Sequence, residues 1–168
     1  MNNLMKIEQN KLSKRRERHF GDRVIWCFES RQPSVTAGLL RAAAANERQI
    51  ALVCDELQWT YAELVTEIRR VSVGVSQMGV SRGDRVIMLI SNRPEFITVF
   101  FAILWLGVVA VPIDVRLKAP EVLHVANNAG AKFILGLIAS FVQQTAILAR
   151  LPGRLAIVEA GRIRLRPA

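Results

Sequence analysis

The stretch Gly83-Asp84-Arg85-Val86-Ile87-Met88-Leu89-Ile90 decides the reading of this chain. A Gly-Asp turn feeds an unbroken apolar run. A strand with one wet face would alternate apolar and polar residues; an unbroken run belongs to a strand covered on both faces, as in a parallel sheet. The residues downstream keep to that pattern. Asn92-Arg93-Pro94 starts a helix, with Pro94 suited to its first turn, and Gly107 ends it. Residues 108–111 form the next strand. Pro120 opens a helix that Gly130 closes, and residues 132–135 return to strand. A helix over 138–151 and a strand over 155–158 complete the series, and 161–166 alternates charged and apolar residues like a half-exposed strand. Strands and helices alternate with short connections. This predicts an α/β fold: a partial open, largely parallel sheet with helices on both faces.

Upstream of the turn, the pattern predicts an N-terminal helix from Ser34 to about Asn46 and a short hairpin pairing residues 51–54 with 57–59. The helix after that hairpin is the best-marked element. Thr60 is a good N-cap and Glu63 stands three residues on, a capping box. Leu64, Ile68, Val71, Val75 and Met78 then line one face. Gly79 supplies the left-handed C-terminal position, with Val80 closing the end.

The chain has 168 residues, enough for one domain with a real core. Its formal charge of +9 sits at the ends. Residues 1–31 hold eight Lys/Arg against four acids, 150–168 hold five against one, and the middle holds ten against nine. Residues 1–31 are read as a basic, flexible N-terminal segment outside the fold, and 32–168 as one α/β portion. The densest cluster, Lys14-Arg15-Arg16-Glu17-Arg18, has no interleaved aromatics and no helix-turn-helix or zinc pattern beside it. The cluster reads as a solvated tail with no specific nucleic-acid binding; weak binding of the basic ends to anionic surfaces is the alternative. Cys27 and Cys54 are too few for a disulfide framework. No secretory signal opens the chain, so a cytoplasmic setting is expected. Residues 96–113 carry no charge, which reaches the length of a membrane span. Gly107 divides the run and Pro112 closes it, so a buried helix followed by a buried strand is the reading, with no span.

Taken as a set, these blocks resemble the opening of the adenylate-forming (AMP-binding) superfamily, which includes acyl-CoA synthetases. Trp59-Thr60-Tyr61-Ala62-Glu63-Leu64 looks like its first core motif. Residues 104–114, ending Val111-Pro112-Ile113-Asp114, look like its second, with Trp105 and Leu106 departing from the small residue or Lys usual before the Gly. Asn92–Phe96 and Ala129-Gly130-Ala131-Lys132 fit between and after them. The resemblance implies an ATP-dependent acid–thiol ligase using ATP, Mg²⁺ and coenzyme A. It also implies a Thr-Ser-Gly-Thr-Thr-Gly-x-Pro-Lys phosphate loop, a ribose carboxylate and a lid lysine. None of these occurs in the 168 residues. The expectation is therefore an N-terminal fragment, truncated or split, that is not catalytic alone. The alternative is a non-catalytic interaction module pairing with a complementing polypeptide or with itself.

No residue is singled out as catalytic, cofactor-binding or metal-ligating, and no cofactor is expected on this portion. Gly74-Val75-Ser76-Gln77-Met78-Gly79-Val80-Ser81 has P-loop glycine spacing, but Val80 stands where the lysine must be. Its glycines also fall at a helix C-terminus, where the dipole repels phosphate. Asp114, at a strand end, is placed where a functional carboxylate could sit, yet a lone carboxylate more often caps a turn. His19 and His124 have no metal-ligand neighbour at helical spacing.

Overall fold

The computed structural model describes residues 13–137, 154–159 and 162–165. It divides into two compact units, Met1–Gly38 and Leu39–Ala168. The helix expected over 138–151 lies outside the described residues.

The first unit contains an antiparallel hairpin where the sequence predicts a segment outside the fold: β1 (Lys14–His19) and β2 (Arg23–Phe28). The strand-forming run Val24-Ile25-Trp26-Cys27-Phe28 supplies one partner. The turn is made by Phe20, Gly21 and Asp22, with Phe20 at φ 50° and Gly21 at φ 87°. The basic run is a strand because its partner, ten residues away, is apolar and aromatic. The unit boundary falls within α1 (Val35–Ala45), whose Ser34 N-cap hydroxyl accepts a hydrogen bond from Ala37 N at 3.0 Å.

The second unit is the predicted α/β fold. After the antiparallel hairpin β3 (Ile50–Cys54) and β4 (Leu57–Thr60) come α2 (Tyr61–Gln77), β5 (Arg85–Leu89), α3 (Pro94–Trp105), β6 (Val109–Pro112), α4 (Ala119–Ala129), β7 (Phe133–Leu137), β8 (Arg154–Glu159) and β9 (Arg162–Leu165). The sheet order is β6-β5-β7-β8-β9; every neighbouring pair is parallel except β8–β9.

The capping box forms as read. Glu63 N donates to Thr60 Oγ1 at 3.3 Å, and Thr60 N donates to Glu63 Oε2 at 2.8 Å. Such a cap contributes about 1 kcal/mol. The backbone N–H and hydroxyl of Thr60 hold the Glu63 carboxyl below its usual pKa. Leu64, Ile68, Val71, Val75 and Met78 are all buried. They pack with Val86, Met88 and Ile90 of the β5 segment and with Val99, Ala102 and Ile103 of α3. The other face of β5, Ile87 and Leu89, packs with Val122 and Ala126 of α4 and Ile134 of β7. The sheet is thus covered on both sides, which is why its central strand reads as an unbroken apolar run.

The uncharged stretch 96–113 resolves into most of α3, a turn at Gly107 and β6. Among the described residues no helix is long and apolar enough to cross a membrane.

Candidate functional site

In an open parallel sheet, ligands bind where the chain leaves the carboxyl ends of the strands, at the point where strand order reverses. Here β5 sends its first crossover to β6 on one side, and the next returns to β7 on the other. The segment leaving β5, Asn92 to Glu95, forms one wall of a cleft of about 660 Å³. The β3–β4 turn and α2 form the others. Four carboxylates line it (Asp55, Glu56, Glu67 and Glu95) against two guanidiniums, Arg70 and Arg93. Arg70 Nε donates to Glu67 Oε2 at 3.1 Å and Arg93 is ion-paired with Glu95, so both cations are already engaged. Glu95 Oε2 is buried and accepts no hydrogen bond among the described residues, with Arg93 Nε 3.5 Å away. A wall so rich in carboxylate repels polyphosphate.

Asp114 sits just beyond the carboxyl end of β6. Its Oδ1 accepts from Arg116 N at 2.8 Å, and its two oxygens accept from Arg116 Nε at 3.0 Å each. The Arg116 guanidinium first, and its backbone N–H second, hold the Asp114 carboxyl down to about 2. The carboxylate is closing a turn. The glycine decoy also resolves structurally: Gly74 lies inside α2 and Gly79, at φ 80°, follows its C-cap.

His124 is exposed on α4. His19 stands differently. On the first-unit hairpin, Glu17 and His19 are two apart on one strand, and Cys27 reaches the same face from the other. Their candidate ligand atoms all lie within 4.8 Å of one another, with His19 Nε2 3.2 Å from Glu17 Oε2 and 3.5 Å from Cys27 Sγ. The spacing is that of strands, which a search at helical spacing passes over. A cation of the chain already serves this cluster. The Arg31 guanidinium bonds to Glu17, and its pKa is raised by hydrogen bonds to Cys27 first and Glu17 second. Arg15 and Arg31 together hold the Glu17 carboxyl at about 2. The group is a satisfied ion-pair network.

Two blocks that frame β5 and β7 are joined by side-chain hydrogen bonds. Asp84, 8% exposed, accepts from Lys132 Nζ at 2.8 Å through Oδ1 and from Ser81 N at 2.9 Å through Oδ2. These two bonds, the lysine's foremost, hold its carboxyl below the usual range. Arg85 donates to the carbonyls of Ala129 and Gly130, each at 2.9 Å, and so closes the C-terminus of α4. Gly83-Asp84-Arg85 and Ala129-Gly130-Ala131-Lys132 therefore form one clamp. It lies at the amino ends of β5 and β7, away from the ligand-binding edge.

Residues 39–163 match the family model described as AMP-binding enzyme. The chain belongs to the AMP-binding enzyme family. It is 36% identical over 80 residues to the long-chain-fatty-acid–CoA ligase FadD13 of Mycobacterium tuberculosis, a stretch covering 48% of this chain and 16% of that protein. It is likewise 36% identical over 76 residues to 4-coumarate–CoA ligase 4 of Arabidopsis thaliana, covering 45% of this chain and 13% of the ligase. Among solved structures, the N-terminal domain of FACL13 from Mycobacterium tuberculosis superposes with a TM-score of 0.67 at 31% identity, covering 71% of this chain and 31% of that one. A benzoate CoA ligase from Burkholderia xenovorans LB400 superposes at 0.68 with 21% identity, covering 74% and 25%, and shows the shared fold. The aligned stretches span about a sixth or less of these two AMP-binding relatives' length. Within the family match lie both ends of the clamp and the capped helix α2.

Proposed function

We propose that this chain supplies the first α/β portion of an ATP-dependent acid–thiol ligase, and that it does not adenylate an acid by itself. The observation that carries the reading is the clamp between residues 83–85 and 129–132, set within a family match over 39–163. The relatives are named as CoA ligases acting on fatty and aromatic acids. ATP, Mg²⁺ and coenzyme A belong to the complete enzyme. The described residues do not fit a triphosphate: the cleft beside β5 is dominated by carboxylates, and phosphate needs backbone N–H groups and cations aimed at it. The part played by this chain is to hold the sheet whose carboxyl edge the rest of such an enzyme would use. Its two thiols are free, which suits a reducing cytoplasm.

Two arms test this. The purified chain, given ATP and a panel of aliphatic and aromatic acids, should show no acid-dependent pyrophosphate exchange; robust exchange would overturn its inactivity. Grafted in place of the matching segment of a full-length CoA ligase, residues 39–137 should preserve exchange. A folded chimera without exchange would overturn the scaffold role.

A second reading, favoured by the edge of the sheet, is that the chain pairs with a complementing polypeptide or with itself. Among the described residues β6 pairs only with β5, and its Val109 is 48% exposed. Open edges of this kind recruit strands. Light scattering should report association that Val109→Lys reduces; a monomer at every concentration would count against pairing.

A further inference from the structure

The first-unit hairpin has two unlike faces. In an antiparallel pair, residues directly opposite share a face. The register sets Lys14 against Phe28, Arg16 against Trp26 and Arg18 against Val24. The other face holds Arg23, Ile25 and the satisfied ion-pair network of Arg15, Glu17, His19 and Cys27. The only carboxylate within the two strands is therefore on that second face. The first face has three cations, none of them in an ion pair with an acid among the described residues, and three apolar side chains. Trp26 is 65% exposed, Val24 53% and Phe28 44%, and Phe20 at the turn is 87% exposed. Lys14 Nζ stands 5.0 Å from the Phe28 ring centroid and the Arg16 guanidinium 5.5 Å from that of Trp26. The basic run has no aromatics beside it in sequence. The strand register interleaves them.

We propose that this face docks on an anionic lipid surface, with Trp26 and Phe28 entering the headgroup boundary and Lys14, Arg16 and Arg18 meeting lipid phosphates and carboxylates. Tryptophan and phenylalanine bury apolar area at such a boundary. Lysine and arginine lay their stems along it while their charges stay in water. Each cation near an anionic leaflet is worth about fivefold in binding constant, so three give roughly 100-fold. Lipid fits this face better than a single-stranded nucleic acid. Base stacking needs open ring faces, and here a cation already lies over each of the two rings. Val24 offers a base nothing, whereas the acyl boundary accepts it.

Co-sedimentation of the full chain with vesicles tests the proposal. Binding to phosphatidylcholine vesicles doped with phosphatidylserine should be strong, weaken as salt rises, and be nearly absent on phosphatidylcholine alone. The triple change Lys14→Glu, Arg16→Glu, Arg18→Glu should weaken it by about 100-fold or more. Trp26→Thr, which keeps a β-branched strand former at an exposed position, should weaken it several-fold. Arg116→Ala, a cation removed from the other unit, should change it little. The proposal is overturned if neutral vesicles bind equally well, if the triple variant binds unchanged, or if a single-stranded oligonucleotide binds more tightly than the anionic vesicles.

Discussion

Gly130→Val is expected to lower the thermal midpoint by roughly 6–12 °C, the shift that about 3 kcal/mol produces in a chain of this size. Two costs add. Gly130 ends α4 at φ 60°, ψ 39°, a left-handed position that costs an L-residue about 1–2 kcal/mol and a β-branched one more. A Cβ built there also stands 2.6 Å from Arg85 Nη2. The guanidinium must shift, which weakens its hydrogen bonds to the carbonyls of Ala129 and Gly130. Circular dichroism melting checks the size of the loss. A fall of under about 2 °C, well below that range, would mean that the clamp is not closed in solution. The mechanism has its own check. In an Arg85→Ala background the valine should cost less, because the clash and the bonds it weakens are already gone.

This clamp also shows what a sequence can and cannot carry. The capping box at Thr60 and Glu63, the turn at Gly83 and the end of α4 at Gly130 are local, and each is legible from the residues within a turn or two of it. The unbroken run after Gly83 is enough to place β5 between two layers, and Phe133–Leu137 takes its side as a parallel neighbour. What joins these pieces is not local. Asp84 and Lys132 are 48 residues apart, and only the pairing of β5 with β7 brings them to 2.8 Å. The hairpin of the first unit is hidden for a related reason. Its basic and aromatic residues are not side by side along the chain; the register interleaves them across it, and the Glu17–His19–Cys27 group follows strand spacing instead of helical spacing. Asp114 is legible as a turn carboxylate because its partner, Arg116, is two residues away. The cleft beside β5 leaves no local signal, since its walls come from three elements separated by some forty residues of sequence.

The largest loss of stability from a single truncation is expected within β5. Met88 and Ile87 are both fully buried and adjacent in the chain, yet they belong to different cores. Met88 packs among Ile68, Val75 and Ile103 on the side of α2 and α3, and Ile87 among Val122, Ala126 and Ile134 on the side of α4. Met88→Ala and Ile87→Ala should each cost about 2–5 kcal/mol, the lost transfer energy plus the cavity left behind. Val73→Ala, on the wet face of α2 and 56% exposed, should stay within about 0.5 kcal/mol. Urea titration measures all three. If the sheet were covered on one side only, one of the two β5 variants would behave like Val73→Ala, and that result would sink the two-layer account. Neither cavity can be filled by side chains from the opposite face, because the β5 backbone stands between them. The double variant should therefore lose about the sum of the two, roughly 4–10 kcal/mol, against the roughly 5–15 kcal/mol that holds a domain of this kind together, and its urea midpoint should fall well below that of either single variant.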